Sequence, residues 1–368
     1  MTEKILTGRE LKKKQFRLSV FPKKDPVSRN EIAEKTGLNL RTIASYAEEY
    51  KKLGFIVEKN VADGKGRPAV YYRSNINNLL FGGISITFGK LYIILMDVNR
   101  YVIGAREIEM LGPDASAAEF IARTMKAFDE LLLENPEKKL AGLGLCINEY
   151  RLESKYVNAF NELVSITTNK YAVPTIKTNA NAVALDRLKY LLMLRGNIAL
   201  IHMADEIRLS LILNDQTASN TEHWRKKFSH FQVDPEGPEC YCGQRGCLDS
   251  YLTHSGTIRR YCRSVGIENT KDINIYKFRL LLEEKDPAAL ALAHENGKRL
   301  GKALLYLAGE LNLSRIYLYT VDSVTAAEAS ETLHRLGGAD NIIIEPCWYS
   351  ASDICAGAAE ILINYYIT

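Results

Sequence analysis

Apolar residues recur at helical spacing early in the chain. Ile43, Ala47, Tyr50 and Leu53 fall on one stripe, which predicts a helix over 39–53, capped by Asn39 and stopped by Gly54. Just upstream, Ser28-Arg29-Asn30-Glu31 has the form of a capping box. Its Ser and Glu can satisfy reciprocal amides at the start of a short helix that runs through Ile32 and Ala33 to Gly37. An amphipathic stretch near 7–20 predicts a supporting first helix. Beyond Gly54, two β-prone runs at 55–59 and 69–73 flank the basic Gly/Pro loop 63–68 and predict a hairpin. Two short helices around a Gly turn, followed by a hairpin, predict a winged helix-turn-helix over residues 1–75.

The pattern changes near residue 80. A β-rich stretch at 81–97 passes through Gly82-Gly83, and Asn99-Arg100 predicts a turn before another strand. A helix over 116–134, a strand over 141–147 and a helix over 179–194 complete one set. A second set starts with a strand at 198–203 and closes with a helix at 292–311, whose Leu300, Leu304, Leu307 and Leu311 form one stripe, and a strand at 315–319. Two such sets predict an α/β region, 76–368, with two lobes and a cleft. Lobe one is expected over about 80–195 plus the last helix, and lobe two over about 196–350.

Composition sharpens this division. The chain has 368 residues and is 46% hydrophobic, enough to bury two or three cores. Its net charge of +4 is unevenly spread: residues 1–75 hold 17 Lys/Arg against 9 Asp/Glu, and the rest 31 against 35. A basic head points to a polyanion partner, double-stranded DNA. The helix 39–53 is then expected in the major groove, with Leu40, Arg41, Thr42, Ser45 and Tyr46 at its N-terminal and outward positions. Arg29 is counted with them, and Lys65 and Arg67 on the hairpin loop could reach a minor groove or flanking phosphates. A helix-turn-helix serving protein contacts alone is the rival. No run approaches the roughly 20 apolar residues of a membrane span, no secretory signal opens the chain, and Cys146, Cys262, Cys347 and Cys355 are scattered. A cytoplasmic protein with reduced thiols and no membrane insertion is expected.

The most specific cluster is His230, Cys240, Cys242 and Cys247. Three thiolates and an imidazole suit one closed tetrahedral Zn²⁺ per chain, a structural site with no position left for water. Gly237, Gly243 and Gly246, with Pro235 and Pro238, supply turns that can wrap these ligands around an ion and make a poor core segment. His223 and His254 lie near enough in sequence to replace His230.

This cluster, followed by Leu248-Asp249, resembles the zinc motif of the ROK family of repressors and sugar kinases, and with the predicted winged helix the likeness is to its xylose-repressor-type regulators. Gly66-Arg67-Pro68 and Gly357-Ala358-Ala359 are similar to two weaker family signatures. The resemblance implies a two-lobed actin-like ATPase fold, each lobe on a ribonuclease-H-like sheet, assembled as homodimers or tetramers. It also exposes departures. ROK kinases hold ATP phosphates with an Asp-x-Gly-Gly-Thr loop, and the matching stretch here is Ser85-Ile86-Thr87-Phe88-Gly89. The second phosphate loop aligns with the glycine-free Ala204-Asp205-Glu206-Ile207-Arg208, and the catalytic Asn-Asp pair with Thr178-Asn179. An amide is no general base near neutral pH. Lys227 stands where a sugar-holding Glu is expected, and Asp249 replaces another Glu.

The expectation is therefore a regulator and not an enzyme: a repressor of carbohydrate-utilisation genes that binds an operator as a homodimer or tetramer. An effector (sugar, sugar phosphate or sugar acid) would meet Asn179, Asn181, Lys227, His230 and Asp249. The rivals are a DNA-binding dimer with a vestigial pocket and a sugar kinase with an appended head.

Overall fold

The computed structural model describes residues 8–23, 25–61, 68–87, 90–109, 116–147, 154–218, 221–268, 270, 273–319, 321–337 and 341–366. The chain divides into two compact units, 1–183 with 350–368, and 184–349.

The first unit begins with α1 (Gly8–Val20), β1 (Val27–Ser28), α2 (Arg29–Thr36), α3 (Leu40–Lys52), β2 (Ile56–Val61) and β3 (Ala69–Ser74). The capping box forms as its sequence requires: Glu31 N–H donates to Ser28 Oγ at 3.1 Å, and Ser28 N–H to the Glu31 carboxylate at 2.8 Å. Gly37 ends α2 with φ 68°, and Asn39 Oδ1 caps α3 through Thr42 N–H at 2.8 Å. Strands β1, β3 and β2 make a small antiparallel sheet. Its centre is aromatic: Phe16 stacks on Tyr50 at 5.6 Å and meets Tyr46 and Tyr72 edge-on.

This aromatic core continues into the next sheet, since Phe55 stacks on Phe81 at 6.5 Å. Strands β4 (Leu79–Thr87), β5 (Lys90–Asp97), β6 (Val102–Glu109), β7 (Lys139–Ile147) and β8 (Thr175–Asn179) form that sheet, in the order β6-β5-β4-β7-β8. The β4–β5–β6 meander is antiparallel, while β7 and β8 run parallel to β4. Strand alternation sends Leu80, Ile84 and Ile86 to one face, where they pack with α4 (Ala117–Leu133) and α5 (Ser154–Tyr171). Leu79 and Phe81 face the other way, toward α13 (Ala351–Tyr366). That helix lies very close to the sheet. A Cβ on Gly83 would stand 2.2 Å from the Cys355 carbonyl oxygen, and one on Gly144 1.8 Å from that of Ala358. Glycine is the residue that permits this approach.

Helix α6 (Ala180–Leu191) crosses the division at 183. The second unit holds β9 (Ile198–Met203), β10 (Ile207–Leu213), β11 (Gln216–Thr217), α7 (Glu222–Ser229), α8 (Leu248–Leu252), α9 (His254–Ser264), α10 (Ile275–Glu283), α11 (Pro287–Leu311), β12 (Arg315–Tyr319), α12 (Ser323–Arg335) and β13 (Ile343–Cys347). Its sheet order is β11-β10-β9-β12-β13, again an antiparallel meander followed by parallel strands. The expected leucine stripe of α11 is buried against it. Helix α11 starts earlier than its apolar period indicated: Asp286 caps it and Pro287 occupies the first turn, a signal in the sequence that apolar spacing alone does not register. No described helix is long and apolar enough to cross a membrane.

Candidate metal centre and nucleic-acid face

His230 closes α7, and the chain then turns through a loop that ends where Cys247 begins α8. Backbone bonds shape this loop from within: Cys240 N–H donates to the Gln244 carbonyl at 2.8 Å, Gly243 N–H to Cys240 at 2.9 Å, and Gly246 N–H to Pro238 at 2.7 Å. Gly243 and Gly246 take positive φ, 86° and 68°, and a Cβ on Gly246 would collide with the Asp234 carbonyl at 1.4 Å. The folded loop brings the ligand atoms of His230, Cys240, Cys242 and Cys247 within 4.8 Å of one another. Cys240 Sγ lies 3.5 Å from His230 Nδ1, and Cys242 Sγ 3.6 Å from Cys247 Sγ. A tetrahedral zinc with its usual bond lengths separates such atoms by roughly 3.5–3.8 Å. The donor set and its spacing fit that ion. Of the three histidines open from sequence, His230 joins the cysteines. His223 packs on Trp224, and His254 lies 3.8 Å from Asp205.

A further contact, which the cysteine spacing did not reveal, anchors the loop. Tyr251, buried in α8, donates its hydroxyl to Asp234 at 2.7 Å. Arg260 and Arg299 cover its ring at 4.7 and 4.2 Å. An Asp four residues past the first ligand gives no sequence signal of this.

The residues expected to hold an effector fall in both units. In the second, buried Asp249 accepts from Ile207 N–H at 3.3 Å. Burial pushes its carboxyl up from the ordinary carboxylate range, opposed by that amide and by His230. Lys227 is exposed and rests over the Trp224 ring at 5.1 Å. In the first unit, Asn179 Oδ1 accepts from the amides of Asn181 at 2.9 Å and Ala182 at 3.4 Å, so it caps α6. Asn181 is buried. The β9–β10 turn carries Asp205 and Glu206, with Glu206 accepting from Arg208 at 2.8 Å.

On α3, Leu40, Arg41 and Ser45 are exposed and Thr42 is half-buried. Arg41 has no carboxylate partner among the described residues. Tyr46 corrects the expectation. It is 6% exposed and packs on Phe16, because it lies three residues beyond Ile43 and so shares the buried face with Ala47 and Tyr50. Arg29 is half-buried, and its guanidinium donates twice to the Tyr72 hydroxyl at 2.7 and 3.0 Å. Lys65 and Arg67, like Gly66, Phe88 and Gly89, lie outside the described residues.

The fold and the cysteine centre define a class, a two-unit α/β protein carrying a small helical head, and comparison with known proteins places it. Residues 212–329 match the model of the ROK family, so the resemblance first seen in the cysteine motif is borne out and the chain carries a ROK segment. The xylose repressor of Bacillus subtilis is 25% identical over 252 residues, 64% of this chain and 64% of that protein. The chain thus matches less than two thirds of its length. Among solved structures, a ROK family transcriptional regulator described as a homologue of the E. coli MLC protein superposes with TM-score 0.69 at 16% identity, over 98% of this chain and 97% of its own. A ROK hexokinase from Thermus thermophilus gives TM-score 0.61 at 16% identity over 76% of this chain and 97% of its own. These likenesses show the α/β fold.

Proposed function

We propose that this protein is a DNA-binding transcriptional regulator, a repressor of carbohydrate-utilisation genes under a sugar-related effector. The observation that carries this is the head. The described residues between 8 and 74 read as a winged helix, in which a capped α2–α3 pair leaves Leu40, Arg41 and Ser45 exposed on the second helix. That surface suits a major groove, and the xylose repressors among its relatives support the reading. One Zn²⁺ held by His230, Cys240, Cys242 and Cys247 would serve structure. Assembly as a homodimer or tetramer would present two heads to a palindromic operator.

Kinase chemistry is absent from this reading. The β9–β10 turn presents two carboxylates where a phosphate loop needs open amides, and Asn179 both lacks basicity and caps α6. ATP turnover above background with any hexose would overturn this part. The capping role of Asn179 and the Lys227–Trp224 contact favour a second reading, in which the old pocket is vestigial and DNA binding is independent of effector. A thermal shift with a sugar, sugar phosphate or sugar acid decides against it. The main test is operator affinity against salt for Arg41→Ala. A phosphate contact predicts weaker binding and a salt slope shallower by about 1, and unchanged affinity and slope remove α3 from the DNA face.

A further inference from the structure

A cavity of about 1000 Å³ opens between the metal loop and α9. None of the residues assigned above to an effector lines it. Arg245 projects from the loop side, and Arg259, Arg260 and Arg263 come from α9. Like charges four residues apart on a helix repel. Arg259 and Arg263 stand at that spacing, both exposed, with no carboxylate partner among the described residues. The dipole at the end of α9 favours Arg263 in its last turn, but does not account for Arg259; Arg245 on the facing wall is paired with Glu239 at 3.4 Å.

Arg260 lines the same wall. It reaches Glu295 at 2.6 Å and Asn296 Oδ1 at 2.5 Å, yet burial and Arg299, on the same Tyr251 ring, pull its guanidinium down to about 10. Cations crowded around a concave wall cost free energy that a bound anion offsets.

We infer that this cavity binds a compact phosphate-bearing molecule, held by Arg259 and Arg263 across from Arg245. Three carboxylates share the cavity. Glu239 accepts from Arg245 at 3.4 Å, while Glu236 and Glu268 also line the wall. They can accept hydroxyl hydrogen bonds from the rest of a small ligand.

The test is calorimetric titration of the full-length, zinc-loaded protein with inorganic phosphate and with pyrophosphate. Saturable 1:1 binding is expected. Arg259→Ala/Arg263→Ala should weaken it by about tenfold or more, and Lys126→Ala, an exposed substitution on α4 of the first unit, should leave it unchanged. Circular dichroism checks that the double variant is folded, and the single Arg259→Gln replaces it should it unfold. No saturable heat, or equal binding by wild type and the arginine variants, overturns the site. So does a loss of duplex-DNA affinity in the same variants, which would assign these arginines to a nucleic-acid face. Since phosphate binding is read directly, failure here leaves the proposed regulator standing, and failure of that reading leaves this cavity.

Discussion

The two five-stranded sheets share one plan, an antiparallel meander continued by two parallel strands, yet they are finished differently. The first is closed by α13, which reaches the sheet backbone through Gly83 and Gly144 and buries Cys355, Ala358 and Ala359. The second carries a long insertion between β11 and β12, and part of it, the loop ending at Cys247, is rich in Gly, Pro and charge. Apolar burial suffices for the first. The loop is shaped instead by backbone turns, by the Tyr251–Asp234 hydrogen bond and by four clustered side chains able to hold an ion. Shared topology thus settles the frame, and local chemistry decides how each part is held.

The largest effect expected is on that loop. If the proposed zinc is held there, chelation, or Cys247→Ser, should abolish hydrogen-exchange protection over 231–247 while β4 and β7 keep theirs. Structural zinc sites contribute on the order of 10 kcal/mol. Full protection in demetallated protein would break the comparison. Next comes the closure of the first sheet. Gly144→Ala puts a Cβ against the Ala358 carbonyl, a backbone atom that cannot rotate away, and should cost about 3 kcal/mol in denaturant unfolding. A neutral result would mean that α13 lies farther from the sheet.

The second sheet buries a histidine. His202 on β9 is buried against Tyr319 at 4.8 Å. Burial foremost, then Arg208 and His254, bring its pKa from 6.5 down to about 3. The folded state keeps the ring neutral while the unfolded chain takes up a proton below 6.5. Stability from this group is therefore complete above pH 6.5 and falls as the pH drops toward 3, by up to about 1.4 kcal/mol per pH unit. His202→Gln should flatten that slope in urea unfolding at pH 4–6.5, and an unaltered slope would refute it. The smallest effect is a gain. Gly309 is exposed in α11, and a Cβ added there would meet nothing within 4 Å. Gly309→Ala should therefore give about 0.5–1 kcal/mol of stabilisation in thermal unfolding. A loss there would show that room at a helical glycine is not what separates it from Gly144.

Much of the head was legible because its signals are local. Ser28 and Glu31, Asn39, Gly37 and the Ile43–Ala47–Tyr50 stripe each act within one helical turn. The cysteine centre was legible too, since its ligands lie within 18 residues of sequence and turn residues separate them. Helix α5 was not. Its Val, Ile and Thr residues weaken helical preference, and packing on β7 and β8 decides its form. The burial of Tyr46 and the Arg29–Tyr72 contact were not legible for a related reason. The polar groups of Tyr46 and Arg29 suit an outer surface, but Phe16 packs on the Tyr46 ring and the Tyr72 hydroxyl accepts from Arg29, both partners distant in sequence.

Sequence by itself determined the caps, the turns, the leucine stripe of α11 and the three clustered cysteines, all of which depend on a few neighbouring residues, while the fold chose His230 among three histidines. Tertiary structure alone decided that both sheets take one topology, that α13 lies against Gly83 and Gly144, that Tyr251 ties the loop through Asp234, and that four arginines meet around one cavity. These depend on residues brought together from distant parts of the chain, where burial and close packing, rather than local preference, choose the partner.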